Sequence, residues 1–132
     1  MQFLIFAISY PIIWFLSLLP MIVLYILSDL LYILFFYLIG YRKKVVLQNL
    51  QLAFPTKDIS ELKTIQKDFF KHFTDIFVES IKAFSITKKT LLKRYKFRNP
   101  ELINELYDKG RSIAFMGAHQ ANWEWSISIP LY

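Results

Sequence analysis

The chain has 132 residues, 55% of them hydrophobic and 18% aromatic, a formal net charge of +6 and no cysteine. One small domain fits that length, and the missing cysteines exclude disulfides and thiolate metal sites. A mean hydropathy of +0.36 is too apolar for an ordinary soluble protein and implies contact with a membrane.

Charge is segregated along the chain. All 16 Lys and Arg follow Tyr41, and Asp29 is the only charged side chain before it. The sequence therefore divides into an apolar head, residues 1–41, and a basic body, residues 42–132.

Gln2 to Leu19 form one uncharged run. At about 1.5 Å per residue a helix of that length covers most of a roughly 30 Å hydrocarbon core. There is no basic start and no small-residue cleavage site, so the run reads as an uncleaved membrane anchor, bent at Pro11. Pro20 opens a second apolar run that ends at Gly40. Asp29 in its middle would cost about 3 kcal/mol at a bilayer centre. The second run therefore reads as a helix lying at the membrane surface or packing on the domain, rather than as the carrier of an intramembrane acid. Arg42, Lys43 and Lys44 follow at once and place the body on the cytoplasmic side, against anionic lipid.

In the body, Lys43 to Phe54 reads as a short amphipathic helix ended by Pro55. Asp58 and Glu61 resemble a capping box. Leu62, Ile65, Phe69, Phe73, Ile76, Phe77, Ile81 and Phe84 then recur at spacings of three and four, predicting a long helix over 59–84 with those residues on its apolar face. His72, beside that stripe, reads as structural or solvated. A basic patch follows, from Lys82 through Lys88, Lys89, Lys93, Arg94 and Lys96 to Arg98. As a set it suits anionic lipid headgroups or an acidic carrier protein, and the apolar anchor argues against nucleic acid. Asn99, Pro100 and Gly110 punctuate one more helix. Ser112 to Gly117 is a short apolar run between turn signals and predicts a buried strand. It leads through Ala118 and His119 into a further helix start. Helix, strand, helix in that order predicts an α/β unit with a parallel sheet.

The chemistry gathers in "GAHQANWEW", Gly117 to Trp125. Reactive groups in open α/β sheets stand at the carboxyl ends of strands, which is where His119 falls. Positions five apart on a regular helix point about 140° away from each other. With His119 on the turn and Glu124 in the first helical turn, the carboxylate can reach the ring. It would then fix the tautomer while the other ring nitrogen takes a proton from an alcohol. Gly117 would admit close approach of a substrate, and nearby backbone amides could hold an oxyanion. Zinc would need ligands beyond the one other imidazole, His72, so no metal is expected. Trp123 and Trp125 read as core residues or interface anchors.

The same stretch resembles the first motif of the lysophospholipid acyltransferase superfamily, a His, four residues, then an acid. With Gly117, Asn122 and Trp123 around it, it is most similar to the late acyltransferases of lipid A biosynthesis, the lauroyl and myristoyl transferases of Gram-negative inner membranes. "LP" at Leu19–Pro20, "YRKKVVLQNLQLAFP" and "NPELINELYDKGRSIAFMGAH" resemble that family in the same order. The resemblance implies an acyl transfer from acyl carrier protein to a hydroxyl of a lipid A precursor, with His119 as general base, Glu124 as its partner and no cofactor. It also implies an anchor helix, then the helical first part and first strand-helix unit of a glycerolipid acyltransferase-like fold. Relative to that family the chain reads as an N-terminal part, with the fold incomplete. Gly117, Asn122, Arg94 and Arg98 are the candidates for substrate contact. The body is expected to face the cytoplasm from a bacterial inner membrane, with acyl carrier protein and a glycolipid acceptor as partners. A glycerophospholipid acyltransferase and an inactive membrane-tethered lipid-binding fragment are the alternatives.

Overall fold

Helix punctuation in the sequence is obeyed closely in the computed structural model, which describes residues 2–114, 116–118 and 120–131. Helix α1 spans Gln2–Ser17 and runs through Pro11. Helix α2, Met21–Tyr32, continues as a wider π-helical segment, Ile33–Ile39. Gly40 ends it in the left-handed conformation, φ 66°, and the Tyr41 N–H reaches back to the Phe35 carbonyl at 2.9 Å. Then come α3 (Lys43–Ala53), α4 (Ile59–Lys82), α5 (Lys88–Arg94), α6 (Glu101–Asp108) and a 3-10 helix, Trp123–Leu131.

Local chemistry explains the boundaries. Pro55 follows α3 closely. The Asp58 carboxylate accepts the Ser60 and Glu61 N–H groups at 2.7 and 3.0 Å and caps α4. The Ser60 and Glu61 hydrogen bonds to its charged form hold this carboxyl below the usual carboxylate range. Glu61 pairs with Lys57 rather than closing a reciprocal box. Asn99 does not cap α6 through its side chain. It sits left-handed, φ 54°, and offers its carbonyl to Leu102. Gly110 closes α6 with a Schellman pair: its own N–H bonds the Tyr107 carbonyl at 2.8 Å, and the Arg111 N–H bonds Leu106 at 3.1 Å.

The chain forms two compact units, Leu19–Glu79 and, together, Met1–Leu18 with Ser80–Tyr132. Within the first, α2 and its π-helical extension pack on α4. Ser28 donates to Asp75 at 2.6 Å and Tyr25 donates to Glu79. Tyr32, Phe36 and Phe70 form the aromatic core, with Phe36 and Phe70 edge to face at 5.3 Å and Val46 of α3 against the cluster. Asp29 is exposed.

Helix α4 exists as expected but turns a different face inward. Leu62, Gln66, Phe70, Thr74 and Val78 are buried, while Phe69, Phe73 and Phe77 are exposed. One residue is a rotation of about 100°. The inward polar groups are satisfied: Gln66 donates to the Lys43 carbonyl at 2.5 Å, and Thr74 to Phe70 and Lys71.

In the second unit, α1 ends where the Ser17 carbonyl accepts Lys82 Nζ at 2.7 Å and Ser85 Oγ at 2.5 Å. A cation and a hydroxyl thereby satisfy an acceptor that a helix C-terminus leaves open. Tyr10 meets Phe84 edge to face. Helix α5, capped by Thr87, packs on the 3-10 helix, and Leu91 and Trp125 are buried.

Length and composition single out the second apolar segment. Met21–Ile39 has 19 residues and a mean hydropathy of 2.4, long and apolar enough to cross a membrane, whereas the 16 residues of α1 fall short.

The expected α/β architecture is not formed. Among the described residues there is no strand, and every regular element is helical. Residues 111–114 and 116–118, where the strand was expected, are irregular and exposed. A strand exists only as part of a ladder, and among the described residues no second strand stands beside this run.

Candidate active site

The motif stands between α6 and the 3-10 helix. The Schellman turn at Gly110 releases the chain into the irregular segment that carries Gly117 and Ala118. The Gln120 N–H donates to the Ala118 carbonyl at 2.8 Å. Ala121 is left-handed, φ 53°, and the Trp123 N–H closes on the Ala121 carbonyl at 3.0 Å. From there the 3-10 helix begins, with Trp123 first and Glu124 second.

Glu124 is exposed and stands in the first turn of that helix. His119 lies outside the described residues. Asn122 is buried, and Trp125 is a core residue at 4% exposure.

Gly117 has a role that spacing does not reveal. A Cβ built on it would stand 2.5 Å from Trp123 Cζ3 and 2.9 Å from Cη2. The indole lies directly against this glycine. Gly117→Ala is therefore expected to push Trp123 out of place, at a local cost of about 1–3 kcal/mol. A changed near-ultraviolet dichroism of tryptophan would register it, and Trp123→Leu in the same protein should relieve it.

An open groove of about 310 Å³ adjoins the segment leading to the motif. Leu102, Ile103 and Leu106 of α6 line one side, Ile113 and Met116 the other, and Arg98 stands among them. Of the proposed substrate contacts, Arg98 is thus set beside an apolar channel, and Arg94 is an exposed residue at the end of α5. Lys88, Lys89, Lys93 and Lys96 are exposed as well, while Lys82 is committed to the Ser17 carbonyl. Sequence reasoning missed the groove because its walls come from a helix and an irregular segment whose apposition no periodicity encodes. Among the described residues no three His, Asp or Glu side chains gather as a metal site would require.

Comparison with known proteins gives one result. The family model described as bacterial lipid A biosynthesis acyltransferase matches residues 2–129. No curated protein and no solved structure matches the chain.

Proposed function

The chain belongs to the bacterial lipid A biosynthesis acyltransferase family, and on that premise we propose that it transfers a fatty acyl group from acyl carrier protein to a hydroxyl of a lipid A precursor. The observation that carries this reading is the family match across residues 2–129, which includes the His119–Glu124 motif.

In this reading His119 accepts the proton of the acceptor hydroxyl as its oxygen attacks the thioester carbonyl carbon. The tetrahedral oxyanion collapses, the carbon–sulfur bond breaks, and the imidazolium returns its proton to the leaving thiolate. An ester and the carrier thiol result, with no covalent acyl-enzyme and no cofactor. Glu124 holds the ring in the productive tautomer and stabilises its cationic form. Its place in the first helical turn after the motif's turn supports that role. The apolar groove along Ile113 and Met116 supports an acyl-chain substrate, with Arg98 available to an anionic part of either substrate. The exposed cations of α5 and its following loop suit acidic carrier protein. Arg42–Lys44 after the apolar head supports a body on the cytoplasmic side of the inner membrane.

The test is a transfer assay with the membrane-bound protein and radiolabelled acyl carrier protein thioester. Label should pass to a lipid A precursor and not to a lysophospholipid. Equal labelling of both would move the assignment to glycerophospholipid acylation, and lipid binding without any transfer would favour a non-catalytic module.

A further inference from the structure

A second, separate site is built within the Leu19–Glu79 unit. An open cavity of about 360 Å³ lies between α3 and the first half of α4, walled by Lys43, Lys44, Lys63 and Lys67 with Phe36 and Leu47. No carboxylate lines it. Among the described residues none of the four lysines is in an ion pair.

Helix stability does not account for this arrangement. Lys43 and Lys44 open α3, where the helix dipole disfavours cations. Lys63 and Lys67 stand one turn apart on α4, where like charges repel. Each pair opposes its own helix, and the two pairs converge on one cavity. The Lys43 ammonium, 3.9 Å above the Phe36 ring, is additionally held in position.

The position of the cavity selects the anion. Phe36 belongs to the last part of Met21–Ile39, the segment long and apolar enough to cross a membrane, and Lys43 and Lys44 follow just beyond Gly40. Cations immediately beyond an apolar segment meet lipid phosphates. Phe36 and Leu47 give the glycerol and first chain methylenes an apolar wall.

We propose that the cavity walled by Lys43, Lys44, Lys63 and Lys67 binds the phosphate headgroup of an anionic membrane phospholipid. The site fixes the depth of the Leu19–Glu79 unit at the membrane boundary and takes no part in acyl transfer.

The experiment titrates the full chain in neutral detergent with fluorescent phosphatidylglycerol and, separately, with fluorescent phosphatidylcholine. Phosphatidylglycerol should bind more tightly. Lys63→Gln/Lys67→Gln should weaken it roughly 25-fold, about fivefold for each lysine facing an anionic headgroup. Lys63→Arg/Lys67→Arg should retain most of the binding. Lys109→Gln/Arg111→Gln, an equal loss of charge elsewhere, should change nothing. Far-ultraviolet dichroism verifies that each variant is folded, and the same titration on His119→Ala separates this site from the transfer reaction. Equal binding of the two lipids, an unaffected glutamine pair, or an equal fall in the control pair would overturn the proposal. So would displacement of the lipid by low-millimolar inorganic phosphate, which would make this a free-anion site.

Discussion

His119→Ala in the membrane-bound protein is expected to lower acyl transfer from acyl carrier protein by about 10²- to 10⁴-fold, the range that a positioned general base contributes. Membrane association and helical content should not change. Glu124→Gln should fall in the same direction by a smaller factor, since an amide can still orient the ring but cannot stabilise its cation. Glu124 is exposed, so the effect of Glu124→Gln cannot be attributed to loss of a core residue. Unchanged far-ultraviolet dichroism of Glu124→Gln beside its reduced transfer separates positioning from folding. Undiminished transfer by His119→Ala would refute the assignment.

Phe70→Ala carries the largest expected effect on stability. Phe70 is 1% exposed, meets the Phe36 ring edge to face, and closes the cluster with Tyr32. Removing a buried phenyl ring costs about 3–5 kcal/mol, from lost transfer energy and the cavity left behind. Its neighbour Phe69 is 46% exposed, so Phe69→Ala should cost about 0.5 kcal/mol or less. Denaturant unfolding of the two variants in the same detergent would measure the difference. Equal losses would mean that the stripe through Phe69, Phe73 and Phe77 is the buried face after all.

That pair of variants marks the boundary of what the sequence makes legible. The ends of α3 and α6 were readable because Pro55, Pro100 and Gly110 act on the backbone within a few residues. The existence of α4 was readable from its period, but its inward face was not. Two stripes one residue apart both offer apolar side chains, and the choice between them depends on the helix that packs there. The Leu24, Ser28, Tyr32 and Phe36 stripe of that partner took the face with Gln66 and Thr74, whose polar groups find partners at home. The strand at 112–117 was misread for a related reason. A short apolar run carries no period of its own, and only a neighbouring strand could have made it one. At the site, the spacing of His119 and Glu124 was legible as a motif. The contact of Trp123 with Gly117 was not, since it joins the two residues through space.

The double hold on the Ser17 carbonyl bears on how the chain assembles. Lys82 Nζ lies 65 positions further along the sequence, so this joint cannot form until translation has passed the whole of Leu19–Glu79. That intervening stretch is continuous and makes its own internal contacts, including Tyr25 with Glu79 near its two ends. Folding it first draws those ends together, and the remaining closure then spans few free residues instead of a long disordered loop. The route with the smallest entropic barrier is therefore from the middle outward: Leu19–Glu79 folds first, and the Ser17–Lys82 joint closes after it.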